Sequence, residues 1–169
     1  MKKAKTILNQ MQSQISRTDI EHLVKKYNAD NNVRTFPTWS LLKVMLFAQC
    51  AGQTSPRDIC IGFTSMPKRM YHLGLKGVSR NNLSHSLAQR NAGLFEDVFY
   101  ALLQKVQNEA MRMPNKRFRF SNELFSIDST TISVCLDVFE WAKFRTAKGG
   151  VKVHTMLDVR NQIPAFAAI

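Results

Sequence analysis

LFSIDSTTISV, residues 124–134, sets a carboxylate, Asp128, where an apolar strand should be closing, and follows it with three hydroxyl side chains. Strand side chains alternate between faces, so Phe125 and Ile127 lie on one side and Leu124, Ser126 and Asp128 on the other. A charge at the end of a core strand is expensive unless it is paired. Two readings satisfy it. Thr130 and Thr131, or the backbone of a following helix start, cap the carboxylate, or it awaits a cation.

Downstream the period of two continues. In VKVHTMLD, residues 151–158, Val151, Val153, Thr155 and Leu157 alternate with Lys152, His154, Met156 and Asp158. VRNQIP is a turn, and AFAAI, residues 165–169, starts a third strand. Between the first two strands, SVCLDVFEW reads as a helical turn with Asp137 and Glu140 on an exposed face. An antiparallel pairing of those strands is expected to set Asp128 beside residues 149–152. Asp158 would then lie about 20 Å away, too far to share a metal with it.

Upstream the period changes to that of a helix. Ile7, Leu8, Met11 and Ile15 form one apolar stripe, and Thr18 with Glu21 three residues later reads as the start of a second helix carrying Ile20, Leu23, Val24 and Tyr27. After Pro37, Thr38 is expected to cap WSLLKVMLFAQCA, whose single charge is Lys43; it reads as the central buried helix. Ser55 and Pro56 open SPRDICIGF, and a loop rich in Gly and basic residues, MPKRMYHLGLKGV, leads to Ser79 and RNNLSHSLAQR. Phe95, Val98, Phe99, Leu102 and Val106 mark a long helix ended by Pro114. MPNKRFRFSN, residues 113–122, is the break in composition. The expected organisation is a helical domain over 1–113, a linker over 114–122 and a strand-forming domain over 123–169.

The charge follows this division. The formal net charge is +12, and residues 1–90 hold 14 Lys and Arg against 4 Asp and Glu, while residues 91–169 hold 10 against 8. A basic half joined to a nearly neutral half with a stranded carboxylate points to a polyanion held by the first and acted on by the second; a solvated basic surface or ribosomal-type RNA binding is the other reading of the charge. No window carries the roughly 18 apolar residues of a membrane span, and the N-terminus lacks the apolar core of a secretory signal, so a cytoplasmic protein with no membrane partner is expected. Cys50, Cys60 and Cys135 are odd in number and widely spaced, and the four histidines have no zinc spacing; reduced thiols are expected, with Cys50 and Cys60 in packed helices.

IDSTTI at 127–132, followed by FEWAKFRTAKGGVKVHTMLD at 139–158, resembles the catalytic core of transposases of the insertion sequence four family. The matching positions are Asp128, Thr130, Thr131 and Ile132; Trp141 to Arg145; then Lys152, His154, Thr155, Leu157 and Asp158. FPTWSLLKVMLFAQCAG, YHLGLK and LFEDVFYALL are similar to the helical domain that precedes this core in one branch of the family. The resemblance implies an α+β protein: an all-helical N-terminal domain followed by the first three strands of a ribonuclease H-like mixed sheet. It also implies a DDE site, in which three carboxylates hold Mg2+ or Mn2+ for in-line attack on DNA phosphates. Asp128 would be the catalytic and metal-binding first acid. The second Asp and the Glu of the family would fall beyond Ile169, so the chain is expected to be a truncated or split transposase that does not cut DNA alone and holds metal weakly.

The partner implied is double-stranded DNA at the element's terminal inverted repeats. Lys143, Arg145, Lys148 and Lys152 are expected around Asp128, where they would hold phosphates; a solvated hairpin tip is the other reading. In SRNNLSHSLAQR, Leu83, Leu87 and Ala88 are expected to pack inward, leaving Arg80, Asn81, Ser84, His85 and Arg90 as donors to bases or phosphates; a merely solvated polar face is the other reading. With SPRDICIGF the segment is expected to pair like a helix-turn-helix, despite its long connection. A non-catalytic DNA-binding protein, or a repressor of its parent element, is the alternative. The third strand is expected to present an open apolar edge and to promote self-association.

Overall fold

A computed structural model describes residues 7–75, 77–111, 122–134, 143–145 and 148–168. The chain divides into two compact units, Met1–Phe99 and Tyr100–Ile169.

The first unit is helical: α1 (Ile7–Gln14), α2 (Arg17–Lys26), α3 (Thr38–Cys50), α4 (Pro56–Ser65), α5 (Pro67–His72), α6 (Arg80–Gln89) and the first part of α7 (Ala92–Met111). Helix α3 is the centre, as its near-unbroken apolar run requires. Leu41 and Val44 are fully buried, and Phe47 meets Phe63 of α4 edge to face at 4.8 Å. Leu8 of α1, Ile59 of α4, Leu75 and Leu83 of α6 complete the same core. Both α1 and α2 pack on α3, and α4 packs on α6.

Local signals set the helix starts, in two places differently from the expectation. Ser16, not Thr18, caps α2, its hydroxyl accepting from Asp19 N, and the helix begins early enough for Arg17 to pair with Glu21. Thr38 is the first residue of α3 rather than its cap. Its N–H and hydroxyl both donate to Asp30 Oδ1 at 2.7 Å, so a carboxylate from the preceding loop does the capping. Ser55 and Ser79 cap α4 and α6 as expected, accepting from Asp58 N and Asn82 N.

The basic loop after α4 contains a further short helix, α5, because Pro67 is preorganised for a first helical turn. Gly74 then reverses the chain at φ 64°, where a side chain would be strained. The single charge of α3 explains itself here. Lys43 is buried, and its ammonium donates to the carbonyls of Leu73 and Gly74 at 2.9 and 3.1 Å and lies 5.7 Å from the Trp39 ring. Burial pushes its pKa down. Cys60 is partly buried, which pushes its thiol up, but Cys50 is exposed at the last position of α3, with its thiol on Met11 Sδ at 3.6 Å.

The second unit contains the rest of α7 and one antiparallel sheet, an α+β combination. Its strands are β1 (Phe125–Val134), β2 (Lys143–Arg145), β3 (Lys148–Asp158) and β4 (Ile163–Ala168). β1 runs along one edge of β3, while β2 and β4 share the other. The short β2 makes four strands where three were expected. The helical turn expected at 133–141 begins instead with Ser133 and Val134 continuing β1, and the rest of it, with Asp137 and Glu140, lies outside the described residues. Pro114 and the expected linker lie mostly outside them too.

The last strand is not left bare. Tyr100 OH donates to Ala167 O at 2.7 Å and Gln107 Nε2 to Pro164 O at 3.2 Å, so two carbonyls of β4 are taken by α7. Among the described residues no helix is long and apolar enough to cross a membrane.

Candidate functional site

Asp128 is the fourth residue of a ten-residue strand, not its closing residue, and it is exposed. The cost of a buried charge therefore does not arise. Its Oδ1 accepts from the following backbone N–H of Ser129 at 2.7 Å, a local bond that leaves the outer lone pairs open to another ligand.

The ladder places Thr155 opposite Asp128, which replaces the expected register against residues 149–152. Those residues pair instead with Thr131 to Val134. The difference follows from the length of β1: a strand that continues six residues past Asp128 moves the hairpin connection away from it. Asp158 pairs with Phe125, three positions from Asp128 along the ladder, or ~10 Å. An odd offset puts the two carboxylates on opposite faces of the sheet. They cannot share a metal, for a reason of parity more than of distance.

Asp158 has a local task. Its Oδ1 accepts from Arg160 N at 2.8 Å and Asn161 N at 3.3 Å, and its Oδ2 from Asn161 Nδ2 at 2.7 Å. This bonding closes the β3–β4 turn, in which Gln162 takes φ 55°.

The ladder does not set the four basic positions expected around Asp128 beside it. Lys152 pairs with Thr131, also at an odd offset and so on the other face. Lys143 pairs with Gly149, and Arg145 with Lys148, some six or seven positions from Thr155, or ~20 Å along β3. They mark the far end of the hairpin. Among the described residues no group of three or more His, Cys, Asp or Glu side chains is arranged to hold a metal ion.

Helix α6 keeps more of its expected surface. Arg80, Asn81, Ser84 and His85 are all exposed. Leu83 packs inward as expected, but Leu87 and Ala88 are exposed and Ser86 is buried in their place. The inward face is thus rotated toward positions 83 and 86, and the exposed face is broader than the apolar pattern implies. The packing of α4 against α6 agrees with the expected helix pair, with α5 occupying the long connection. Arg57 and Arg80 flank the open groove between α4 and α6, over Cys60 and Ile61.

Arg90 corrects the reading of this segment. Its side chain is 5% exposed and its donors go to Thr38 Oγ1 at 2.8 Å, Asp30 Oδ1 at 3.2 Å and Phe36 O at 3.2 Å. A guanidinium so engaged joins α6 to the loop before α3 instead of facing outward as expected. Beside it a cleft of about 420 Å3 opens between loop 27–36 and α6. Asn82, His85, Ser86 and Gln89 line its helical wall at spacings of three and four. The sequence held a signal for it in the Asn-rich run NADNN, residues 28–32, whose polar side chains have no role in an apolar core.

A family profile described as "Domain of unknown function (DUF4372)" matches residues 3–76. The chain is also similar to the "Probable transposase for insertion sequence element IS5377" of Geobacillus stearothermophilus, at 26% identity over 165 residues. That alignment covers 98% of this chain and 41% of the relative's length, so the chain spans under half of the protein it matches. No solved structure matches it.

Proposed function

We propose that this chain is part of a DNA transposase of the insertion sequence four type, with a helical DNA-binding domain followed by strands of a ribonuclease H-like catalytic domain. The observation that carries the reading is the similarity to a transposase along 98% of the chain. Two further features support it. IDSTTI lies on β1 and KVHTMLD on β3, so the motifs of the resemblance fall on adjacent strands. The excess of positive charge belongs to residues 1–90, the part that includes α6.

In this reading the exposed Arg80, Asn81, Ser84 and His85 of α6 contact the terminal repeats of the element, Arg80 on phosphate and the others on base edges. Asp128 supplies one carboxylate ligand to Mg2+ or Mn2+. One exposed carboxylate is too few ligands for such an ion, so the others must come from outside the described residues. When bound, the metal supplies Lewis-acid activation for phosphoryl transfer. Asp128 contributes an oxygen on an exposed strand, fixed by its bond to Ser129 N.

The test is a binding titration of the purified chain with duplex DNA carrying the ends of its parent element, against scrambled duplex of equal length. Tighter binding to the ends, with affinity falling steeply as salt rises, is expected. Replacing Asn81 and His85 with Ala should abolish the preference for the ends while sparing binding to scrambled duplex. Equal affinity for ends and scrambled DNA would remove the reading for α6. The chain alone is expected not to cut DNA with Mg2+ or Mn2+; cleavage that Asp128→Ala abolishes would overturn that expectation.

A further inference from the structure

We infer that the groove along α4, bordered on its other side by the start of α6, takes the sugar-phosphate backbone of one strand of duplex DNA. This deepens the DNA-binding reading and rests on it for the polymer. Arg57, Ile61 and Thr64 stand on one exposed stripe of α4 at spacings of four and three, so the groove runs along that helix. Arg80, the first residue of α6, borders it from the other side. An open groove of this kind admits the edge of a convex rod.

Charge selects a polyanion. Several cations of the helical unit are matched within the fold: Arg17 by Glu21, Arg90 by Asp30 and Lys26 by Asp97, while the Lys43 ammonium is held by two carbonyls. Arg57 and Arg80 have no carboxylate partner among the described residues, and both border the same groove. Asp58, next to Arg57 in the chain, accepts from the Ser55 hydroxyl at 2.6 Å. Helix α6 has no acidic residue in its first turn, so the positive end of its dipole adds to Arg80. Burial pushes the Cys60 thiol up and the Arg80 charge draws it down, so the field of that guanidinium reaches the floor of the groove.

The floor narrows the choice among polyanions. Ile61 is 58% exposed, with Cys60 partly buried beside it. The hydroxyls of Thr64 and Ser65 donate back to Cys60 O and Gly62 O, each at 2.9 Å. Between the two cations the groove therefore offers carbon, with its hydroxyl donors already used. A nucleic-acid strand matches that order, because charged phosphates alternate with largely apolar sugars: a deoxyribose rests on Ile61 while phosphates on either side meet Arg57 and Arg80. An acidic peptide would bring backbone N–H and C=O groups against this floor and leave them unpaired. The placement also suits the helix pair, since in a helix-turn-helix the first helix crosses the backbone while the second faces the bases.

The experiment measures the affinity of the full 169-residue chain for duplex carrying the element's ends and for scrambled duplex, by fluorescence anisotropy over a range of salt concentrations. Arg57→Gln should weaken binding to both duplexes alike and lower the slope of log K against log salt by about 0.9, one phosphate contact; adding Arg80→Gln should bring the fall to about 1.8. Ile61→Glu sets a carboxylate where the sugar rests and should weaken both duplexes about tenfold. Arg17→Gln removes one positive charge outside the groove and should leave the slope unchanged. All four positions are exposed, and circular dichroism checks that each variant is folded. A slope untouched by Arg57→Gln, or one lowered as much by Arg17→Gln, overturns the inference. Poly-L-glutamate bound as tightly as scrambled duplex, with the same loss in Arg57→Gln, overturns the choice of DNA as occupant. A wild-type chain that binds no DNA sinks the DNA-binding reading itself, whereas salt-dependent binding that the groove variants leave intact sinks the groove alone.

Discussion

The helical unit and the sheet unit bury their apolar residues very differently. In the first, Leu41, Val44, Leu83 and Leu94 are at most 1% exposed, and two cations that enter the interior arrive with partners, Lys43 on two carbonyls and Arg90 on Asp30. In the second, Ile127 is 74% exposed and Phe125 and Phe166 nearly half. Residues Asn122–Ile132 are exposed without interruption, on both faces of β1. Backbone pairing defines the sheet, then, while side-chain packing defines the helical part. Hydrogen bonds between strands contribute only about 1 kcal/mol each over bonds to water, so stability separates the two units even where geometry does not.

The largest effect expected from this contrast comes from Leu41→Ala. A fully buried Leu at the centre of the helical core should cost about 3–5 kcal/mol through lost transfer energy and the cavity left behind. Thermal unfolding followed by circular dichroism at 222 nm, where helix dominates, measures it. A loss under about 1 kcal/mol would mean that the helical core is no better packed than the sheet, and the comparison would fail.

Arg90→Met comes next, at about 2–4 kcal/mol. It removes a buried cation and leaves Asp30, which still caps α3 through Thr38, without its ionic partner. The same variant separates structure from recognition at this residue. If Arg90 held DNA, the substitution would lower the salt dependence of binding by one contact and leave unfolding unchanged. A stability loss is expected instead, with DNA affinity preserved at temperatures where the variant is folded.

How much of this was legible in the sequence depended on how local each signal was. Ser55 followed by Pro56 and Asp58, or Ser79 before α6, announces a helix start within four residues, and the structure follows both. The alternation in β1 and β3 likewise assigned the strands, and the antiparallel pairing supposed for them is the one observed. What failed needed a partner distant in sequence. Thr38 looks like a cap until Asp30 reaches it, and Arg90 looks like a surface donor until the same Asp30 is found beside it. Register failed for the same reason: a period of two reports faces but not which residues stand opposite, and the length of β1 shifted Asp128 from residues 149–152 to Thr155. The cleft was hidden because its two walls lie some fifty residues apart.

A smaller effect tests the sheet side of the contrast. Ile127, Met156 and Phe166 stand opposite one another across β1, β3 and β4, an apolar row on one face. Replacing Ile127 and Phe166 together with Lys should change stability by no more than about 0.5 kcal/mol per site, since both are exposed. Sedimentation velocity should show less self-association than in wild type, because the apolar row that favours contact between copies is interrupted. A wild-type chain that stays monomeric at high concentration removes the premise; a large loss of stability would show the row to be covered.

The smallest effect belongs to the ionic contact between α2 and α7. Lys26 Nζ lies 2.6 Å from Asp97 Oδ2, and Tyr27 OH donates to the same oxygen at 2.9 Å. The hydrogen bond from Lys26, then that from Tyr27, holds the Asp97 carboxyl below its usual 3.8. A carboxyl with a depressed value in the folded state gives stability that is fully present above pH 3.8 and lost as pH falls through the folded value, because the unfolded chain binds the proton first. The contact is exposed to water, so the contribution is small. Urea unfolding of wild type and Asp97→Asn at a series of pH values should show wild type ahead at neutral pH, with the gap closing below pH 3.8. Tyr27→Phe should narrow the same gap in part, since it removes the second donor while Lys26 remains. A gap that persists unchanged into strong acid would assign the effect of Asp97 to packing near Gly93 and Tyr27, which lie close enough that a Cβ on Gly93 would come within 3.3 Å of the Tyr27 hydroxyl.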